Sequence, residues 1–296
     1  MDVSIIIVNY NTCQMTMECI TSIVEKTHSI SYEIIVVDNA SEDGSKELFE
    51  KKENIKYIYL NTNIGFGRAN NIAAKYSSGK YLFFLNSDTL LINNAIHILK
   101  TYLDCHETVA IWGGNLYNKD MKNIHSYSKL FPSILNDFDL AFNRKISLYI
   151  TKGNMEYNRT NLPTKVAYVT GADLMIRKDV FISERGFDPD FFMYFEETEL
   201  STRIKNKGWD IMNIPTAKII HLEGKSLTYS PQKSKMILKS KRLYFKKTYN
   251  KLYCIVADII YWILNGFGIV IYLLFDINKA RSLYKKQLIY TKLILS

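Results

Sequence analysis

Residues 3–38 read VSIIIVNYNTCQMTMECITSIVEKTHSISYEIIVVD. Residues 3–8 form an unbroken apolar, largely β-branched run, Asn9-Tyr10-Asn11 ends it, residues 15–26 read as a helix, and residues 33–37 repeat the strand. Short apolar runs without alternation suit strands buried on both faces of a parallel sheet, joined by crossover helices. The unit recurs: residues 55–60 and 81–85 read as strands, and 44–52 and 67–76 as helices. The first hundred residues therefore predict a Rossmann-like α/β sheet.

Each predicted strand ends in polar residues: Asn9-Tyr10-Asn11, Asp38-Asn39, Asn61-Thr62-Asn63 and Asn86-Ser87-Asp88. Ligands of open α/β sheets bind outside the carboxyl ends of the strands. A single cluster is also explained by turns and helix caps, but four of them converge on one crevice.

Composition narrows the class. Of 296 residues, 47% are hydrophobic and 23% charged, with only 5 prolines and 13 glycines, which excludes a disordered or collagen-like chain. The net charge of +9 is carried by the end of the sequence. Residues 229–296 hold 13 Lys and Arg against two acids, Asp258 and Asp276, whereas residues 1–228 hold 25 bases and 27 acids. The four cysteines, Cys13, Cys19, Cys105 and Cys254, follow no metal or disulfide spacing, so a reducing cytosol is expected. The opening apolar run stops after six residues and follows Asp2, unlike an export signal.

Residues 104–163 give a weak pattern, with Trp112-Gly113-Gly114 suggesting a strand end. Residues 167–177 read as a strand pair broken at Gly171, and residues 229–296 change character. Residues 233–251 carry eight bases, and residues 252–275 are almost wholly apolar with Asp258 as their one charge. That length can span a bilayer. The basic residues beyond it, and a turn expected at Asn265-Gly266-Phe267-Gly268, favour a re-entrant hairpin or interfacial helices on anionic lipid. A spanning helix and a helix pair at a core or oligomer interface are the alternatives. Nucleic acid is not expected as a partner, because these bases flank an apolar stretch instead of interleaving with stacking aromatics.

Three places carry candidate chemistry. Asn86-Ser87-Asp88 follows an apolar strand, where one carboxylate helps hold a divalent cation on a diphosphate, or caps the next helix. Residues 191–203, FFMYFEETELSTR, set Glu196, Glu197 and Glu199 behind aromatics. A carboxylate against an apolar wall has a raised pKa, as a general base needs, although acids at a helix start also suit the helix dipole. A helix from Glu196 would let Glu199 pair with Arg203 and leave Glu196 or Glu197 for a pocket. His221 ends another apolar run, as a metal ligand or a half-buried residue. Gly65-Phe66-Gly67-Arg68 lacks the third glycine of a dinucleotide fingerprint, and His97, His106 and His125 have no partner at ligand spacing.

In order, SIIIVNYNT, EIIVVDNASEDGS, NTNIGFGRANNIA, YLFFLNSDT, VTGADLMIRKDVF, GFDPDFFMYFEETELSTRIKNKGW and HLEGKS resemble the family 2 inverting glycosyltransferases, in their bacterial rhamnosyltransferase-like branch. The resemblance runs over residues 3–226. It implies a GT-A type fold, with a nucleotide-binding half over 1–110, an acceptor half over 111–228 and a membrane-associating helical tail over 229–296. It implies that Val8 and Tyr10 flank the nucleotide base, that Asp38 contacts base or ribose, that Asn63, Arg68 and Ser87 lie near the donor, and that Asp88 and His221 hold Mg²⁺ or Mn²⁺. Glu197 aligns with the catalytic base, with Glu196 beside it. Two departures stand out: the base position holds Glu where most relatives have Asp, and the metal motif opens with Asn86.

The expected reaction is transfer of a sugar, rhamnose from dTDP-rhamnose first, to a lipid-linked or polysaccharide acceptor in cell-surface glycan synthesis. It would take place at the cytoplasmic face of the cell membrane, by a monomer or a homo-oligomer. A UDP-hexose or UDP-N-acetylhexosamine donor, and a silent glycan- or lipid-binding subunit, are the alternatives.

Overall fold

The computed structural model describes residues 1–141, 144–151, 153–222 and 230–295. They divide into two compact units. The first comprises Met1–Lys129, Asn154–Phe192 and Glu196–Gly224, and the second Leu130–Gly153, Met193–Phe195 and Lys225–Ser296.

The first unit opens as β1 (Val3–Asn9), α1 (Cys13–Lys26), β2 (Tyr32–Asp38), α2 (Ser45–Phe49), β3 (Lys56–Tyr59), α3 (Phe66–Lys75) and β4 (Tyr81–Asn86). It continues with β5 (Thr89–Leu91), α4 (Ala95–Cys105), β6 (Val109–Tyr117), β7 (Tyr127–Ser128), β8 (Thr164–Lys165), β9 (Tyr168–Val169), β10 (Asp173–Arg177), α7 (Lys178–Ser183), α8 (Glu196–Asn206) and β11 (Asp210–His221). The main sheet runs β3-β2-β1-β4-β10-β6-β11-β5, with β8 also on β11. Its first four strands are parallel, as the apolar runs predict. β10 is antiparallel to both β4 and β6.

Strand pleating explains the runs. Ile5, Ile7, Val36, Phe83 and Leu85 face a core shared with Ile20 and Ile23 of α1 and Leu99 of α4. Ile6, Ile35, Val37 and Phe84 face the other, with Ala69 and Ala73 of α3, Phe181 of α7 and Leu200 of α8. Both faces exclude water, so burial favours apolar side chains on either face along most of these strands.

Trp112-Gly113-Gly114 is not a strand end: it lies inside β6. The glycines serve close approach. A Cβ on Gly114 would sit 2.5 Å from the Ala217 carbonyl oxygen, and one on Gly113 2.9 Å from Val169. The Gly114 N–H donates to Asp173 Oδ2 at 2.6 Å.

In the second unit are α5 (Ile134–Ala141), α6 (Lys145–Ile150), α9 (Pro231–Thr248), α10 (Lys251–Phe275) and α11 (Ile277–Leu295). Asn250 caps α10 by accepting the Tyr253 N–H at 2.9 Å. The turn expected at residues 265–268 is absent, because α10 runs straight through it and the chain reverses at Asp276. Gly268 instead admits α11, since a Cβ there would lie 3.1 Å from Leu283 Cδ1.

Candidate active site

The sheet's carboxyl edge is organised by Asn9, the last residue of β1, which is fully buried. Its amide donates to Ser45 Oγ at 2.8 Å, Ser41 Oγ at 3.0 Å and Asp38 Oδ2 at 3.3 Å. Its carbonyl accepts from Thr16 at 2.8 Å and Thr12 at 2.9 Å, and the Thr12 hydroxyl is also 3.0 Å from Ser87 Oγ. The network ties the first, second and fourth strand ends together.

Asp38 is fully buried within it. Its Oδ1 accepts the Ser41 N–H at 2.8 Å, and its Oδ2 also accepts the Tyr57 hydroxyl at 2.9 Å. Tyr10 is 49% exposed at the same edge, and Val8 is half-buried. Asn63 accepts from Asn39 at 2.9 Å and from the Gly65 N–H at 3.0 Å. Arg68 is exposed, with Nε donating to the Pro189 carbonyl at 2.6 Å.

Two segments 126 residues apart meet at Gly65. The Phe66 N–H donates to the Phe192 carbonyl at 2.9 Å. Gly65 has φ +90°, and a Cβ there would lie 2.3 Å from that oxygen, so the position requires glycine.

Strand pairing brings Asp88 and His221 together. His221 sits opposite Thr89 across β11 and β5, and the Leu222 N–H donates to the Asp88 carbonyl at 2.8 Å. Asp88 Oδ1 lies 3.2 Å from His221 Nε2, and Asn86 Nδ2 lies 3.4 Å from the same nitrogen. Two ligands of one ion at metal bonds of about 2.1 Å stand about 3 Å apart when adjacent in its shell. A carboxylate and an imidazole so placed fit a divalent ion. Among the described residues no third His, Cys, Asp or Glu joins them.

The acids of α8 separate as their spacing foretells. Arg203 donates from Nε and Nη2 to the two oxygens of Glu199, each at 2.8 Å, and thereby engages that carboxylate completely. Glu196 is 4% exposed, and its Oε2 has no hydrogen-bond partner. Burial and the charge of Glu197 push its pKa well up. Glu197 accepts from the Thr198 hydroxyl at 3.1 Å, and burial raises its pKa too. A Cβ on Gly171 would be 3.9 Å from Glu197 Cβ, and the neighbouring Ala172 carbonyl accepts the Asn86 N–H at 3.0 Å. Glu197 and the Asn86-Ser87-Asp88 triplet thus flank one short turn, 170–172, at the same sheet edge.

Two contributors have roles that the sequence reading did not assign. Asn9 was legible as part of the polar cluster ending β1, but not as the hub of the strand-end network. His125 pairs with Glu156, 3.5 Å from Nδ1 to Oε1, and when protonated it adds to the hydrogen bonds, Thr198's among them, that offset the burial-raised pKa of Glu197. Only the pairing of β7 with β9, which sets Ser126 against Thr170 beside Gly171, brings it there. Of the HLEGKS stretch, Glu223 to Ser226 lies outside the described residues.

Comparison with known proteins shows the family and the fold. Residues 4–183 match the model of glycosyl transferase family 2. Rhamnosyltransferase WbbL of Escherichia coli (strain K12) is 29% identical over 198 residues, 64% of this chain and 72% of its own length. The dTDP-rhamnosyl transferase RfbF of Shigella flexneri is 23% identical over 222 residues, 74% of this chain and 68% of its own. The fold is shared with the crystal structure of GalNAc-T7 with UDP, GalNAc and Mn²⁺, at a TM-score of 0.59 and 16% identity over 83% of this chain and 47% of that one. It is shared too with S. aureus TarS 1-349 in complex with UDP, at a TM-score of 0.54 and 16% identity over 93% and 73%. The chain belongs to glycosyl transferase family 2, and is a glycosyltransferase of GT-A fold with rhamnosyltransferases among its relatives.

Proposed function

We propose that the protein transfers rhamnose from dTDP-rhamnose, with inversion, to a hydroxyl of a lipid-linked or polysaccharide acceptor at the inner face of the cell membrane. The observation that carries the reading is the pair of constellations at one sheet edge: Asp88 with His221, 3.2 Å apart, and Glu197 beside the poorly solvated Glu196. The named activities of the two rhamnosyltransferase relatives support the choice of donor.

Tyr10, Val8 and Asn63 line the nucleotide, and Arg68 and Ser87 approach its phosphates. Asp38, expected to contact base or ribose, is fully buried with both oxygens bonded and so acts from behind, by fixing Asn9 and the Ser41 loop. Asp88 and His221 would hold Mg²⁺ or Mn²⁺, which when bound would supply positive charge to the departing diphosphate. Glu197 accepts the acceptor hydroxyl's proton as that oxygen bonds to the anomeric carbon, opposite the breaking bond to the diphosphate. Burial and the neighbouring Glu197 charge favour the protonated form of Glu196, and one proton shared by the pair leaves one carboxylate to act as base. The unpaired oxygen of Glu196 and the fully paired Glu199 make this division of labour a matter of supplied partners.

The test is release of nucleoside diphosphate from dTDP-rhamnose and a panel of UDP-sugars, with Mn²⁺ or with EDTA and with lipid-linked acceptors added. Metal-dependent release from dTDP-rhamnose alone is expected. Release from a UDP-sugar would replace the donor, and release from none would leave a binding subunit.

A further inference from the structure

α10 is the one helix among the described residues that is long and apolar enough to cross a membrane, yet the structure gives it two unlike sides. Val256, Ile259, Ile263, Phe267, Val270 and Leu274 recur every three or four residues and are 39–78% exposed, forming one stripe down the helix. The opposite side is held by protein. Asp258 takes Arg242 of α9 at 3.2 Å on Oδ2 and the Tyr290 hydroxyl of α11 at 2.6 Å on Oδ1. Tyr261 lies against Tyr290, 4.1 Å between rings, and Gln287 donates to the Trp262 carbonyl at 3.4 Å.

These contacts run antiparallel, so α11 lies along α10 and goes wherever it goes. Lys285 and Lys286 fall between Leu283, at Gly268, and Gln287, at Trp262, and therefore beside the middle of α10. A spanning α10 would carry both cations to the bilayer midplane, where charge is most expensive. α11 bears Lys279, Arg281, Lys285, Lys286 and Lys292 and no acid. Such a cationic flank opposes docking of a second copy and complements anionic headgroups. A cavity of about 330 Å³ opens beside the stripe, lined by Ile255, Ile259, Trp262 and Ile294 with the Arg242 and Asp258 pair.

We infer that the α10–α11 hairpin lies in the plane of an anionic phospholipid bilayer, the α10 stripe in the acyl boundary and the α11 cations among the headgroups, with neither helix crossing. This rests on the membrane placement in the proposed function, and its readout is independent of sugar transfer. Loss of turnover with intact vesicle binding would fault the activity and leave the hairpin standing.

The full chain is floated with vesicles of phosphatidylcholine alone or with phosphatidylglycerol added, then extracted with alkaline carbonate, and its mass in lipid-free buffer is measured by light scattering. Binding is expected to anionic vesicles, to be released by carbonate, and to fall about fivefold for each charge removed in Lys285→Gln and Lys292→Gln. Ile263→Asp with Phe267→Asp, both exposed, should fall at least about tenfold while keeping the wild-type circular dichroism. Carbonate-resistant binding would overturn the in-plane arrangement. Absence of binding to any vesicle, or a dimer that dissociates in the aspartate variant, would overturn the lipid partner.

Discussion

Glu196 at the start of α8 and Asp258 inside α10 are both carboxylates among crowded side chains, one in each unit, and the fold treats them oppositely. Asp258 receives a guanidinium and a hydroxyl from two neighbouring helices. Glu196 receives no partner on Oε2 and a second negative charge next door. Supplied with partners, a carboxylate becomes a lock; deprived of them, it holds its proton to higher pH. Glu199 shows that the deprivation is selective, since Arg203 serves it fully from the same helix.

The comparison breaks most sharply at Glu197. Glu197→Gln should lower turnover by about 10²–10⁴-fold while donor binding, read by calorimetry, persists. Retained turnover would move the base to Glu196. Because burial raises Glu197, the wild-type rate should fall on acidification at a pH above the ordinary glutamate value near 4.5. An acid limb at that ordinary value would remove Glu197 from the proton transfer.

Next comes the lock. Arg242→Met leaves Asp258 without its cation and should cost about 3 kcal/mol in urea denaturation, whereas adding Asp258→Leu should restore most of it. Equal losses in the single and double variants would show that the pair pins nothing. Gly65→Ala should cost about 2 kcal/mol, because it combines a positive φ with a clash on the Phe192 carbonyl. A thermal midpoint within a degree or so of wild type would mean the two loops are not held together there.

The smallest effect is a gain. The native pKa of Glu196 is raised, so its contribution to stability is full below the ordinary value near 4.5 and is lost as pH rises through the native value. Glu196→Gln escapes that loss and should be about 1 kcal/mol more stable than wild type at neutral pH, and no more stable at low pH. A destabilised variant at neutral pH would mean that Glu196 has an ionic partner.

The β1-to-β4 half was legible because a strand buried on both faces leaves a continuous apolar run, and the polar residue that stops it marks the sheet's edge. The pairing of Glu199 with Arg203 was legible from a spacing of four. Trp112-Gly113-Gly114 and Asn265-Gly266-Phe267-Gly268 misled for one reason: glycine signals a turn locally, but in both places it makes room for a neighbour distant in sequence. Nothing local announces that β10 will insert between β4 and β6, or that His125 will come round to Glu197.

The sequence by itself determined the family, the order of strands and crossover helices, and the residue types available at the sheet's edge, since each is written in periodicity and in contiguous motifs. Only the tertiary structure decided that Glu196 is left without a partner on one oxygen, how closely His221 approaches Asp88, and which side of α10 remained bare. Those outcomes depend on groups brought together from 135 residues apart, as with Asn86 and His221, or from separate helices, as with Arg242, Asp258 and Tyr290. A carboxylate's solvation and a helix's exposed face are properties of the neighbours it acquires, and those neighbours exist only once the chain has folded.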